Sequence, residues 1–315
     1  MKEDSGSGSI RGECGVCGAQ MPRPFYAEAA DYITGHSFEV RECPGCGVAW
    51  TSPVPSDLEP YYPRSYRRYN SLIIAILKFL YRRRVARWCR RFSKPGKALE
   101  LGCGDGFMLN ALRSFGWSVA GTERTDEMAR FAREHFGVTV YVEPRHSIPS
   151  GERYDLIVLF QVLEHLADPV GELRRAASLL SDGGSVIVAV PNFSSWQSRY
   201  STTGWFHLDV PRHLVHFSPN SLDRAAQAAG LRVSSVNFLS FEHDPYGWVQ
   251  SGLNRLFSNG NRLTKLLMRA EPWRVGDLFS LFVAALLSPF AVALSVLSWL
   301  FRRGAIMEVT LSRGG

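Results

Sequence analysis

KALELGCGDGFMLNALRSFGWSVAGTE, residues 97 to 123, decides how the chain is read. A short apolar run, KALEL, has the length and composition of a buried strand. It runs straight into Glu100-Leu-Gly102-Cys-Gly104-Asp-Gly106, after which FMLNALRSF has the pattern of a helix closed by Gly116, and WSVAGTE reads as a second strand. Glycines at a strand-to-helix turn let the backbone approach a ligand closely. A lone glycine loop is a weak signal, because many α/β proteins have one. Two details sharpen it. The spacing is GxGxG rather than the GxGxxG of dinucleotide sites, and Glu123 ends the second strand, where an acid can hydrogen-bond ribose hydroxyls.

The same alternation continues outward. DEMARFAREHF is a helix closed by Gly137, VTVYV and YDLIVLF are strands, and a helix opens at Asp168 with Pro169 in its first turn. SVIVAV is a strand, a helix runs from Ser218-Pro219 to Gly230, LRVSSVNFL is a strand, and GAIMEVTLSR at 304 to 313 alternates like one more. Strands alternating with helices predict an α/β fold with a doubly wound, parallel sheet that binds ligands at the carboxyl ends of its strands.

Before this core, Cys14-x2-Cys17 and Cys43-x2-Cys46 form two CxxCG turns. Four thiolates delivered by two short loops suit a structural tetrahedral Zn2+ site, with iron or a reactive-thiol role as the alternatives. Short alternating stretches between the pairs favour a small β-ribbon, which buries little core and draws its folding free energy from the metal. Cys89 and Cys103 fall outside the pattern and read as ordinary, partly buried side chains.

LELGCGDG at 99 to 106, GTE at 121 to 123, YDLIVLFQVLEHLADP at 154 to 169 and LLSDGGSVIVAVPN at 179 to 192 resemble, in order, the motifs of the class I S-adenosylmethionine-dependent methyltransferases. That resemblance implies a Rossmann-like sheet whose last strand inserts antiparallel. It also implies that Glu100, Gly102, Gly104 and Gly106 cradle the methionine part of S-adenosylmethionine, that Glu123 holds its ribose, and that Phe160 and Gln161 line it beside the sulfonium. The cysteine pairs and WFHLDVPRHLVHFSPNSL at 205 to 222 narrow the likeness to a bacterial subset with an N-terminal zinc ribbon, whose members act mostly on small molecules, sugars or lipid-linked glycans. The likeness covers roughly 14 to 240 and resumes at 305.

Methyl transfer to a hydroxyl requires removal of a proton. His165 stands where a general base belongs, the alternative being a turn-capping role that orients Glu164. His207, His213 and His216 offer a base or substrate clamp, a second metal site, or a latch on the site. If the chain turns helical past Pro211, His213 and His216 share a face. Arg212 suits a phosphate or carboxylate on the substrate.

The chain of 315 residues is 45% hydrophobic with a formal charge of +7, which argues against disorder. Its polar start has no apolar leader segment, so the expected location is the cytosol. YRRRVARWCRRF at 81 to 92 suits lipid headgroups or nucleic acid, or is a solvated helix face. The expected partition is a zinc ribbon over 10–60, a basic linker helix over 61–95, and a methyltransferase domain over 96–315 with a hydrophobic insertion at 241–304. Within the insertion, Leu278 to Phe301 is 24 residues without a charge, long enough to span a bilayer. A single crossing would strand the last β-strand on the wrong side, so Pro289 is expected to divide the segment into a re-entrant or in-plane hairpin on the cytoplasmic membrane face, with subunit or internal packing as the alternative. The leading function is O-methylation of a lipid-linked or amphipathic small molecule or glycan. The runner-up is a zinc-ribbon RNA methyltransferase that stacks bases on Tyr61, Tyr62, Tyr66 and Tyr69. A pure binding module is the third reading.

Overall fold

The structure, a computed structural model, describes residues 13–20, 23–62, 71–143, 148–257, 260–268 and 271–314. Its centre is a seven-stranded sheet. The strands are β4 (Lys97–Leu101), β5 (Ser118–Glu123), β6 (Thr139–Val142), β7 (Tyr154–Phe160), β8 (Leu180–Pro191), β10 (Leu231–Asn237) and β11 (Ile306–Arg313), in the order β10-β11-β8-β7-β4-β5-β6. β11 alone runs antiparallel, between β8 and β10, as the resemblance implies. Its centre is fully buried, so Met307, Val309 and Leu311 join the core with Leu99, Ile157 and Val188. The predicted strands and helices of this sheet all form.

Helices cover both faces: α1 (Ser71–Cys89), α2 (Phe107–Ser114), α3 (Asp126–Phe136), α4 (Pro169–Leu179), α5 (Trp196–Ser201) and α6 (Pro219–Ala228). Their ends follow local chemistry. The Asp168 side chain accepts the Gly171 N–H at 2.8 Å to start α4, and Ser218 and Ser221 form a reciprocal capping box on α6.

The ribbon is a sheet of β1 (Arg23–Ala30), β2 (Ser37–Glu42), β3 (Ala49–Ser52) and β9 (Val215–His216), in that order. Its fourth strand comes from residues far beyond the cysteines, so the chain that follows β8 completes the ribbon's own sheet. Arg212 fastens the junction. Its buried guanidinium donates to Asp31 at 2.8 Å, to Asp209 at 2.7 Å and to the Tyr61 carbonyl, and lies 4.4 Å from the centre of the Tyr32 ring. The side chain expected to meet a substrate anion is thus occupied inside the protein.

The insertion forms α7 (Asp244–Phe257), α8 (Arg262–Leu267) and α9 (Gly276–Leu300). α9 is one continuous helix, so Pro289 does not make the expected hairpin. Proline removes one backbone N–H, at a cost of about 3 kcal/mol in a helix interior. Against that, Ala284, Ala291, Ser295 and Ser298 bury a small-residue stripe on α9. The return is supplied by two helices instead. α9 packs on α7, and the Asp244 carboxyl at the start of α7 accepts Trp299 Nε1 at 2.6 Å and the Ala305 N–H at 3.1 Å at the end of α9. The chain therefore leaves and re-enters the core at one point, and β11 stays with its sheet.

Candidate functional site

The glycine loop sits at the carboxyl end of β4. Gly102 has φ of 71° and Gly106, which opens α2, has φ of 78°, both in the left-handed region that favours glycine. A Cβ on Gly102 would come within 2.8 Å of Val162, and one on Gly106 within 2.9 Å of Ala132. Glu123, at the parallel end of β5, turns back to the loop: Oε2 accepts the Gly104 N–H at 2.9 Å, while Oε1 accepts the Arg124 and Thr125 N–H groups at 2.8 and 3.0 Å. Glu100 is buried on β4, and Phe160 and Gln161 close β7 in the next position of the sheet. Gln161 takes φ of 55° and its N–H donates to the Ala189 carbonyl at 2.8 Å. A cradle of backbone, one carboxylate and an aromatic edge fits an adenosyl sulfonium ligand, and the close approach of the glycine loop to Val162 and Ala132 leaves no space for a side chain at Gly102 or Gly106.

The histidines separate into two groups. His165 ends a short turn after β7 and its Nδ1 lies 2.9 Å from the Arg212 carbonyl, while His213 Nδ1 lies 2.9 Å from the His207 carbonyl. The two rings meet edge-on with centroids 4.7 Å apart. The buried Glu164 lies with them, and its carboxyl is pushed up to about 8 by burial. Burial also lowers His213, against the pull of Asp209. His216 is elsewhere. It lies on β9 facing the ribbon, with Nε2 3.0 Å from the Thr51 hydroxyl, and burial lowers it to about 3. No helix follows Pro211, because the chain turns there to pair β9 with β3, so His213 and His216 share no helical face.

In the ribbon, Cys14 and Cys46 sulfurs lie 3.7 Å apart and Cys17 and Cys43 sulfurs 3.5 Å apart, and all four lie within 4.8 Å of one another. A tetrahedral site with metal–sulfur bonds near 2.3 Å has sulfur–sulfur edges of about 3.8 Å. The cluster therefore fits Zn2+ with little rearrangement. Cys103, by contrast, is a buried thiol raised by desolvation, and Cys89 accepts Trp117 Nε1 at 3.1 Å.

Residues 75–236, just over half of the chain, match the family described as "Methyltransferase domain". The chain belongs to that family. Its core is the class I S-adenosylmethionine-dependent methyltransferase fold. Among curated proteins, it is 28% identical over 154 residues to the "Ubiquinone biosynthesis O-methyltransferase" of Aeromonas salmonicida (strain A449), covering 45% of this chain and 65% of that protein. The protein of the same name from Bordetella avium (strain 197N) is 28% identical over 169 residues, covering 49% of this chain and 69% of that one. The S-adenosylmethionine-dependent methyltransferase of Clostridium acetobutylicum ATCC 824 superposes with a TM-score of 0.46 at 10% identity, covering 76% of this chain and 92% of that structure.

The methyltransferase core also has a wall that motif reading missed. Phe160 is covered by Tyr81 at 5.6 Å, the Arg84 guanidinium at 5.1 Å and the His243 ring at 6.0 Å. Arg84 is buried and donates to Glu242 at 2.7 Å and Glu308 at 2.6 Å. One of the six arginines read as a lipid or nucleic-acid surface is therefore an internal tie between α1, the insertion and β11. Burial lowers His243 to about 4, so it is neutral at physiological pH. Nothing local in the sequence links Arg84 to Glu308, which is 224 residues away.

Proposed function

We propose that this protein transfers a methyl group from S-adenosylmethionine to a hydroxyl oxygen of an amphipathic, lipid-linked acceptor at the cytoplasmic face of a membrane. When bound, S-adenosylmethionine supplies an electrophilic methyl carbon on a sulfonium. Gly102, Gly104 and Gly106 would bound its methionine end, Glu123 its ribose, and Phe160 and Gln161 the edge beside the sulfur. The remaining work of the protein is to align the acceptor, exclude water and accept the hydroxyl proton, for which His165, half-buried beside His213, is the favoured group. The name of the curated relatives supports oxygen as the acceptor atom.

The observation that carries the lipid reading is the exposed apolar face of α9. Leu278, Phe279, Phe282, Leu286, Phe290 and Leu300 are each more than half exposed along a helix about 37 Å long. A contiguous apolar patch of this kind marks an interaction surface. It is flanked by exposed Trp273 and Arg274 at one end and by Arg302 and Arg303 at the other, the aromatic and basic residues that favour an anionic bilayer surface. α9 runs into β11, whose first residue pairs with Pro191 at the carboxyl end of β8, so the apolar face and the cofactor cradle belong to the same end of the sheet.

The RNA reading has less support. Tyr61 is buried against His36, and Tyr66 and Tyr69, with Arg64, Arg67 and Arg68, lie outside the described residues.

Sedimentation with vesicles containing phosphatidylglycerol tests the lipid reading. Wild type should pellet, and replacing Leu286, Phe290, Val292 and Leu297 with serine should release it without lowering the melting temperature, since each side chain contributes roughly 1.5–3 kcal/mol when buried in lipid. A wild type that stays in the supernatant, with serine variants that split a dimer, would make α9 a subunit interface and remove the lipid acceptor.

A further inference from the structure

We propose that the groove between α1 and the loop after β10 is a phosphate site, which holds the headgroup of a lipid phosphate with its chain directed over Phe241 toward α9. The groove encloses about 270 Å3. Arg83, Arg87 and Arg90 line it from α1, and their spacing sets all three on one helix face. Leu239 and Phe241 line it from the loop opposite.

Three observations point to this occupant. The first is a shortage of negative charge. Four arginines, the buried Arg84 among them, meet two carboxylates that Arg84 already engages, Glu242 at 2.7 Å and Glu308 at 2.6 Å. Arg87 reaches Glu308 only at 3.6 Å, and Arg83 and Arg90 have no carboxylate partner among the described residues. The second is Arg87 Nε, which is shut off from solvent without a hydrogen-bond acceptor among the described residues. A buried guanidinium N–H left unpaired is costly, and a phosphate oxygen in the groove supplies its acceptor. The planar forks of neighbouring arginines suit the remaining phosphate oxygens.

The third observation concerns what carries the phosphate. Phe241 is more than half exposed, and its ring lies 4.8 Å from that of Trp299 in the last turn of α9. Exposed Leu300 and Phe301 continue the apolar surface from there, so a chain leaving the groove stays on apolar side chains. A free phosphate would gain nothing from that surface. Arg84 lines the groove and also covers Phe160 at 5.1 Å, so one side chain separates the headgroup from the cofactor edge. The choice of a lipid as carrier rests on the membrane reading of α9, whereas the phosphate site itself does not.

Calorimetric titration of the full-length protein with dihexanoylphosphatidic acid, kept below its micelle concentration, tests the site. One molecule should bind per chain, about tenfold tighter than inorganic phosphate, a gain that two buried methylenes supply. Arg87→Gln should weaken binding roughly 10- to 150-fold. The double variant Arg83→Gln with Arg90→Gln changes only exposed side chains. It should weaken binding several-fold while keeping the affinity for S-adenosylmethionine. No binding to wild type, or unchanged affinity in the double variant and in folded Arg87→Gln, overturns the site. Inorganic phosphate binding as tightly as the lipid, or oligouridylate displacing it, overturns the lipid assignment. Wild type that binds the soluble lipid yet stays in the supernatant with vesicles supports the groove and counts against the membrane reading instead.

Discussion

Replacing Arg212 with methionine is the sharpest structural perturbation available, because it separates a structural arginine from a substrate anchor. The Arg212 side chain is 1% exposed and the Asp31 side chain it pairs with is fully buried. Asp209 takes two of its N–H groups, and burial raises the Asp209 carboxyl less than Arg212 and His213 lower it, so it remains an anion. Methionine keeps most of the volume and removes the charge, leaving Asp31 and Asp209 without their shared cation. Breaking a buried pair in this way costs roughly 3–5 kcal/mol, a third or more of the stability of an ordinary domain. Urea denaturation should report that loss, and hydrogen exchange should place the largest deprotection in β1 to β3 and β9. Adding Asp31→Asn and Asp209→Asn to the same chain should recover much of it, because removing a whole buried ion cluster is close to neutral. A loss below about 1 kcal/mol, with a raised KM for the acceptor, would refute this account and return Arg212 to substrate binding.

Glu123→Ala removes the carboxylate that gathers three loop N–H groups, and S-adenosylmethionine affinity by calorimetry should fall by about 1–3 kcal/mol, or roughly 5- to 150-fold. A change under twofold would assign the ribose to another residue. Asp244 gives a pH signature. Burial raises its carboxyl from 3.8 to about 7, so the fold keeps a proton that the unfolded chain loses. Its stabilising contribution is full below about pH 4 and is lost as pH rises toward 7, at a slope approaching roughly 1.4 kcal/mol per pH unit. Asp244→Asn should flatten the difference in stability across that window. His207, His216 and His243, lowered by burial, act in the opposite sense below pH 6.5 in both proteins and cancel in the comparison.

Local chemistry made most of the sheet legible. Strand runs, the proline starts of α4 and α6 and the glycine stops after α2 and α3 are each decided within a few residues, and the structure follows them. The residues read as a cofactor cradle lie together at the ends of β4, β5 and β7 for the same reason. What could not be read depends on partners far away in sequence. Arg212 finds Asp31 at a separation of 181 residues, and Arg84 finds Glu308 at 224, so neither charge could be recognised as internal from its neighbours. Pro289 was expected to break a helix by its intrinsic cost, and the packing of α9 on α7, a tertiary term, overrides it. His216 stands apart from His213 because the chain there forms β9, a strand of two residues with no periodicity to announce it.

The central claim is tested most directly by following the methyl group itself. Purified protein incubated with S-adenosyl-[methyl-3H]methionine and a bacterial membrane-lipid extract should place tritium in the organic phase, and Gly102→Val, whose new side chain would strike Val162 and displace the glycine loop, should abolish the transfer. Label found only in the aqueous phase with lipid extract, and incorporated instead into an RNA extract under the same conditions, would contradict it.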